Sequence, residues 1–270
     1  NAMMNGQSYF IVGPIHIQAW TVLPLLLIAW AGFFTKKNFK SWQLIALFVL
    51  PLWFILSTPS LMVALVYAGI VTVLFYISDY SLKVKILTTL TVIGFIAIAM
   101  LLITPQLHHY QLVRIYAYLD PASYATTAGY IYLSVKNALN NAGWFGADTI
   151  RYIPEGHTDF ALVQLIQELG YIAGIGIVFV LFAIAIRILW KAKGLPRSYG
   201  KMLVIGAVSF YCMQFIYSIA MILGWLPIIG LSLPFISYGF TPLLLNGFVI
   251  GIALSVYRRK SFIGSEMQPK

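Results

Sequence analysis

Most of the acidic residues lie in one stretch of the chain, where a carboxylate could act as a base. Of seven Asp and Glu residues, five lie at Asp120, Asp148, Glu155, Asp159 and Glu168. The stretch includes Pro154-Glu155-Gly156-His157-Thr158-Asp159-Phe160, just before an apolar run, so we expect Asp159 where water meets hydrocarbon. Keeping an ionisable group at that boundary costs free energy, so a functional role for Asp159 is favoured. The alternative is structural, because Thr158 and Asp159 are both residue types that cap helix N-termini.

The composition is typical of a membrane protein. Of 270 residues, 61% are hydrophobic and 9% are charged, whereas a soluble domain carries about 25% charged residues. The net charge of +10 does not indicate nucleic-acid binding, because the basic residues lie between apolar runs instead of on one folded face. The single cysteine, Cys212, excludes an intramolecular disulfide. Asn1-Ala2-Met3 is typical of an expression-tag remnant, and we expect no cleavable signal peptide.

About seven apolar runs are long enough to cross a hydrocarbon core of about 30 Å. They predict an all-α polytopic membrane protein, a single integral membrane domain over residues 1–270. One large loop, 105–159, would separate the fourth and fifth spans. The fifth run exceeds one bilayer thickness, so we expect tilt or protrusion. The predicted spans are Ile17–Phe34, Trp42–Leu56, Leu61–Ile77, Val84–Ile103, Phe160–Leu189, Met202–Trp225 and Ser237–Tyr257.

The basic residues between these runs predict the orientation. If every run crosses once, the basic clusters fall on one side, and the positive-inside rule makes that side cytoplasmic. The opposite side receives Arg114, Lys136 and Arg151, all in the long loop. We therefore expect the loop outside and the C-terminus in the cytoplasm. The clusters contain Lys36, Lys37, Lys40, Lys83, Lys85, Arg187, Lys191, Lys193, Arg197, Lys201, Arg258, Arg259 and Lys260.

Two further stretches predict surface or irregular structure. Ser123–Leu139, with aromatics such as Tyr130 and Tyr132, predicts a helix lying on the membrane. Gly230–Gly239 places Gly and Pro where the last span begins. Irregular backbone at membrane depth is tolerated only where it is buried in protein or lines a polar cavity. A simple kinked connection between helices is the alternative, and the sequence alone favours it.

Four segments, in order along the chain, resemble the SEDS family, the FtsW/RodA/SpoVE group of bacterial cell-wall polymerases. Arg114-Ile115 through Leu119-Asp120-Pro121 is similar to RI..FLDP, and Gly129-Tyr130 with Gly143-Trp144-Phe145-Gly146 is similar to GYQ..QS…GG.FGKG. Pro154 through Phe160, with Glu168-Leu169-Gly170, resembles PE.HTDF…EELG. Gly224, Pro227 and Gly230, then Leu233 through Gly239, resemble G..P.TG.PLPF.SYGGSS. The four together are specific, because they occur in register with one topology.

The resemblance implies a fold of ten spans, of which this chain would supply spans four to ten. It also implies the bacterial cytoplasmic membrane, a lipid II-type substrate and a class B penicillin-binding protein as partner. The chain is then either a fragment or a naturally short paralogue starting at Met3 or Met4. Both alternatives stay open.

The resemblance implies that polymerisation depends on Asp159, the Asp of HTDF. A carboxylate can act as general base for an acceptor hydroxyl that attacks an anomeric carbon bearing a pyrophosphate-lipid leaving group. Arg114, or a divalent cation such as Mg²⁺ or Mn²⁺, is the candidate to stabilise the departing pyrophosphate; the metal ligands are unknown. The other predicted substrate-binding residues are His157, Glu168, Ser237 and Tyr238. The alternatives are a hydrated or interfacial role for His157 and a bond to a neighbouring helix for Glu168.

Departures from the family pattern support a second hypothesis. The two glutamines of GYQ..QS become Ile131 and Ser134, and the fourth span's Glu and Lys are missing after Gln18. This loss of polar groups favours a non-enzymatic scaffold for a class B penicillin-binding protein. A third hypothesis, a flippase for lipid-linked precursors, ranks last, because only Glu168 is an ionisable residue well placed within a span. Consumption of labelled lipid II by the purified chain would distinguish polymerase from scaffold.

Overall fold

The computed structural model describes the backbone of residues 2–4, 7–12, 15–18, 23–35, 61–103, 109–195 and 199–266. It describes the side chains of 23–35, 66–94, 112–113, 115–195 and 199–259. Within these ranges the chain is mainly helical, so the predicted helical architecture is confirmed. The predicted second span, Trp42–Leu56, lies outside the described residues.

A small antiparallel sheet precedes the first helix. Its strands are β1 (Ala2–Met4), β2 (Gln7–Val12) and β3 (Ile15–Gln18), in the order β1-β2-β3. Phe10 pairs with Ile17, and such aromatic and β-branched residues favour strands. The sequence did not predict this sheet, because its apolar residues continue into the first apolar run. Ile17, expected to open the first span, lies in β3.

Eight helices follow in the described residues. They are α1 (Leu23–Thr35), α2 (Leu61–Ile77), α3 (Leu82–Ile103), α4 (His109–Leu119), α5 (Gly129–Asn141), α6 (Ala161–Lys193), α7 (Tyr199–Ile222) and α8 (Phe240–Glu266). Where they overlap the predicted spans, most bounds differ by at most four residues. The larger differences are at the start of α1, Leu23 against the predicted Ile17, and at the end of α8, Glu266 against the predicted Tyr257.

Three of the described helices are long and apolar enough to cross a membrane: α6, α7 and the Phe240–Arg259 part of α8. α1 and Val66–Ile77 are apolar but shorter. Large apolar side chains remain exposed on the helices, among them Leu90, Phe179 and Leu254. Such extensive apolar exposure agrees with a membrane protein. The total of seven spans stays a prediction.

The stretch predicted as one long loop contains two helices. α5 overlaps the predicted surface helix but begins at Gly129 instead of Ser123, because the preceding residues form turns. There the Thr127 and Gly129 N–H groups donate to the Tyr124 carbonyl. The sequence did not predict α4, which is only 11 residues long. Helices this short give little periodic signal.

The described residues divide into two compact regions. The first region comprises those within Asn1–Val92, Ile184–Met213 and Leu244–Lys270, and the second those within Ile93–Ala183 and Gln214–Leu243. The first region has an aromatic core. Trp30 stacks on Phe34 with ring centroids 5.2 Å apart, and Phe34 lies 5.7 Å from Phe75. Interlocking of large buried rings therefore holds this region together.

The second region contains a break in α6. Gly170 has φ 86° and ψ 173°, so α6 consists of two helices that meet at a kink. A turn at residues 143–147 bonds to the break: Ala147 N–H donates to the Gln167 carbonyl at 2.8 Å, and Tyr171 N–H donates to the Gly143 carbonyl at 3.1 Å. A Cβ at position 170 would lie 2.2 Å from the Trp144 carbonyl oxygen. Only glycine fits such a conformation and contact.

Candidate functional site

Asp159 lies in the turn Pro154–Phe160, which precedes α6. The Glu155 carbonyl accepts hydrogen bonds from the N–H groups of Thr158 (3.1 Å) and Phe160 (3.2 Å). The Thr158 hydroxyl donates to Glu155 Oε2 at 2.8 Å. Helical bonding starts where Gln164 N–H donates to the Phe160 carbonyl. Phe160 therefore occupies the N-cap position, for which the sequence suggested Thr158 or Asp159.

The Asp159 carboxylate is half-buried and lies against Gly230. A Cβ at position 230 would be 3.3 Å from Asp159 Oδ2, and Gly230 has φ 70°. Burial, with a further contribution from the negative charge of Glu155, raises the pKa of Asp159 from 3.8 to about 6. Such a carboxyl is ionised at neutral pH yet binds a proton more tightly than an ordinary aspartate. Both properties suit a general base.

The segment that carries Ser237 and Tyr238 is bonded to the Asp159 turn. Tyr238 N–H donates to the His157 carbonyl at 2.8 Å, while both of these side chains are exposed. Ser237 is buried, and its hydroxyl has no hydrogen-bond partner among the described residues. An unpaired buried hydroxyl is available to a ligand or a water molecule. The structure thus brings four predicted site residues, Asp159, His157, Ser237 and Tyr238, into two adjoining segments.

Hydroxyl groups hold the connection between α7 and α8, residues 223–239, which contains Gly230. Tyr118 and Tyr217 donate to the carbonyls of Trp225 and Pro227 at 2.7 and 2.8 Å. The Ser218 hydroxyl donates to the Leu231 carbonyl, and the Tyr132 hydroxyl accepts from Ile228 N–H, both at 2.9 Å. These bonds give an irregular segment the internal partners that backbone in a membrane protein requires.

The two other predicted site residues are not shown in contact with this turn. Glu168 is exposed, and its Oε1 accepts from Gln164 Nε2 at 2.7 Å, within α6. The structural bond expected with a neighbouring helix is therefore made with the helix's own preceding turn. Arg114 belongs to α4, but its side chain lies outside the described residues. Substrate contact by Arg114 or Glu168 stays a prediction.

Two contributors to the site were not predicted, Glu155 and Gly230. The spacing of the two carboxylates in PEGHTDF could have indicated Glu155, because a like charge in the same turn can act on the Asp159 carboxylate. Gly230 was noted as part of an irregular segment. Its contact with Asp159 joins distant parts of the chain, so no local sequence pattern could have predicted it.

The described residues do not form a metal site from protein ligands alone. No group of three or more His, Cys, Asp or Glu side chains lies together in the part of the chain that the structure describes. Mg²⁺ often takes one or two carboxylates and completes its shell with substrate phosphates and water. Binding of Mg²⁺ or Mn²⁺ stays a prediction.

The fold and the site define a class: a helical, multi-pass membrane protein with a half-buried carboxylate in a turn bonded to an irregular connection between helices. A family model described as cell cycle protein, FtsW/RodA/SpoVE, matches residues 2–261. The chain belongs to this family.

Individual relatives agree. The probable peptidoglycan glycosyltransferase FtsW of Trichlorobacter lovleyi is 33% identical over 153 residues, which cover 54% of this chain and 40% of the relative. The protein of the same name from Bacillus subtilis is 28% identical over 274 residues, covering 93% of this chain and 67% of the relative. A chain from a peptidoglycan synthase complex matches with TM-score 0.73 at 23% identity, covering 96% of this chain and 76% of that one. This structural likeness shows the fold. The match to the Trichlorobacter lovleyi protein spans less than half of that protein's length.

Proposed function

We propose that this chain acts as a peptidoglycan glycosyltransferase that joins lipid II-type units at the bacterial cytoplasmic membrane. One observation carries the proposal: the Asp159 carboxylate is half-buried beside Gly230, and its pKa is raised to about 6. Relatives named as peptidoglycan glycosyltransferases support the substrate class.

In the proposed reaction Asp159 is the general base. The oxygen of an acceptor sugar hydroxyl attacks the anomeric carbon of a second unit, and the hydroxyl proton passes to the Asp159 carboxylate. A new glycosidic C–O bond forms as the bond to pyrophosphate breaks, and the lipid pyrophosphate leaves with the electron pair. Arg114 is the proposed cation for that leaving group. The unpaired Ser237 hydroxyl can donate to a substrate oxygen near the turn, and the proposed contacts of His157, Glu168 and Tyr238 orient the sugars.

We also propose that the Asp159 turn lies on the extracytoplasmic side of the membrane and that the C-terminus lies in the cytoplasm. The distribution of Lys and Arg supports this orientation. The exposed Asp148, in the same loop, offers a test. With Cys212 replaced by Ala, Asp148→Cys should react with a membrane-impermeant maleimide in intact spheroplasts. Labelling only after lysis would reverse the orientation.

A class B penicillin-binding protein is the proposed partner. The solved chain that resembles this one comes from a peptidoglycan synthase complex, which supports a partnered assembly. Co-purification of this chain with such a protein from membranes, quantified against an unrelated multi-pass protein, tests the pairing.

The decisive experiment measures polymerisation of labelled lipid II in proteoliposomes that contain the chain and the proposed partner. Asp159→Asn removes the base and keeps the side-chain volume, so we expect turnover to fall by about 100-fold or more. Asp148→Asn removes an exposed charge from the same loop and should leave turnover unchanged. Wild-type turnover should rise with pH through about 6, as Asp159 ionises.

Two outcomes would overturn the proposal. Product formation that persists in Asp159→Asn would remove Asp159 from the mechanism. Stable pairing with the penicillin-binding protein without lipid II consumption by the wild type would establish the scaffold hypothesis instead.

A further inference from the structure

Glu155 has a backbone conformation that its residue type rarely adopts. Its φ is 55°, in the left-handed region that favours glycine. Non-glycine residues persist there only when surrounding contacts determine the conformation, and they cluster at functional sites. The contacts here are the two backbone bonds from Thr158 and Phe160 to the Glu155 carbonyl. Asp159 lies between those two donors in the sequence, so the conformation of Glu155 fixes the backbone that carries Asp159.

The Glu155 side chain folds back onto the same turn. Its Oε2 accepts the Thr158 hydroxyl at 2.8 Å, and that hydroxyl lies 3.2 Å from the Glu155 carbonyl oxygen. A charge-assisted hydrogen bond of this kind is stronger than a neutral one. An exposed glutamate could extend into water, yet here it is held where its negative charge acts on Asp159.

Among the described residues, Glu155 is the charged group that acts on the Asp159 carboxylate. The facing segment offers Gly230, which has no side chain, and Tyr238, whose side chain has neither a carboxylate nor a basic group. Within the turn His157 is exposed, and at the start of α6 Glu168 is bonded to Gln164. Burial and Glu155 are the two causes that raise the pKa of Asp159.

We propose that Glu155 is the positioning residue of Asp159: it fixes the turn through its backbone and the Thr158 bond, and it supplies the negative charge that Asp159 meets there. The turn is then a two-carboxylate device in which one carboxylate accepts the proton and the other increases the first one's proton affinity. This inference rests on the proposed function where turnover is the readout, but its central measurement does not need turnover.

The central measurement is an infrared titration of the Asp159 carboxyl band in nanodiscs, assigned by subtracting the spectrum of Asp159→Asn. Glu155→Gln keeps an acceptor for the Thr158 hydroxyl and removes the charge. We expect it to lower the pKa of Asp159 by roughly half a unit or more. Asp148→Asn is the matched control, because it removes an exposed charge from the same loop, and it should leave the Asp159 band unchanged.

Positioning is tested separately at Thr158. Thr158→Val keeps the side-chain shape and the Glu155 charge but removes the hydroxyl, so turnover at pH 8 should fall by roughly tenfold. The acid limb of its pH profile should move less than that of Glu155→Gln. Thr158→Ser restores the hydroxyl and should recover most of the turnover.

The results separate this inference from the proposed function. An unshifted Asp159 band in Glu155→Gln, or an equal shift in Asp148→Asn, overturns the electrostatic role of Glu155. Wild-type turnover in Thr158→Val overturns the positioning role. A wild-type chain that consumes no lipid II refutes the polymerase proposal, while the infrared titration still decides whether Glu155 sets the proton affinity of Asp159.

Discussion

The two regions of this chain are held together in different ways. The first region packs large rings, such as Trp30, Phe34 and Phe75, against one another. All described residues with a left-handed φ belong to the second region: Gly146, Glu155, Gly170, Gly224, Gly230, Phe235 and Gly239. The region that carries the candidate site therefore depends on unusual backbone conformations, and the other depends on side-chain volume. We expect the second region to tolerate added side-chain atoms poorly at these left-handed positions, and the first region to tolerate them better.

The largest effect is expected at the break in α6. Gly170→Ala must place a Cβ 2.2 Å from the Trp144 carbonyl at a φ of 86°, and backbone atoms cannot move aside as a side chain can. We expect a loss of about 4 kcal/mol in the free energy of unfolding, measured by SDS titration in micelles. Gly176→Ala, in the same helix with no atom within 4 Å of the added Cβ, should be neutral or slightly stabilising. Equal stability of the two variants would show that the φ and the close contact at position 170 do not make this part of the second region intolerant.

The next largest effect concerns the stability cost of burying the ionised Asp159 carboxylate in the second region. An acid whose pKa is raised by folding binds its proton more tightly in the folded chain than in the unfolded chain. Proton binding by Asp159 therefore stabilises the folded chain fully below pH 3.8, and this stabilisation is lost as the pH rises through about 6. Asp159→Asn has no charge to bury. At pH 8 we expect it to be more stable than the wild type by roughly 1–2 kcal/mol, and below pH 4 to be equal. A variant less stable than the wild type at pH 8 would contradict the raised pKa.

A pair of glycines separates backbone strain from contact with the base. Gly224 and Gly230 have φ of 75° and 70°, but only the Cβ added at Gly230 would meet Asp159 Oδ2, at 3.3 Å. Each alanine variant should cost about 1–2 kcal/mol of stability. Displacement of the carboxylate by a few tenths of an ångström should lower turnover of Gly230→Ala by roughly tenfold relative to Gly224→Ala. Equal turnover would show that Gly230 matters for its backbone alone.

The smallest effect is expected in the first region. Gly69→Ala would bring a Cβ to 2.7 Å from Met213 Cε, but methionine is flexible and its terminal atoms can move. We expect a change of less than about 1 kcal/mol in the free energy of unfolding and unchanged turnover. A loss as large as that of Gly170→Ala would show that both regions are equally intolerant.

Local patterns predicted the helices well and the site only in part. α2 and α3 were readable because a run of apolar residues long enough to span hydrocarbon has few other uses. Asp159, His157, Ser237 and Tyr238 were predicted from motif residues, and the structure places their two segments side by side. The strands near Phe10 and the short α4 were not predicted, because such short elements show little periodicity. The proposed role of Glu155 was not predicted either, because it depends on the φ of one residue.

The sequence by itself determined that this is a helical membrane protein of the FtsW/RodA/SpoVE family, with a carboxylate at position 159 next to an apolar run. Water and hydrocarbon impose that pattern residue by residue, so it can be read without coordinates. Only the tertiary structure decided that Asp159 meets Gly230, that α6 breaks at Gly170, and that hydroxyl groups hold residues 223–239. These features join residues far apart in the chain, and their geometry depends on how whole segments pack.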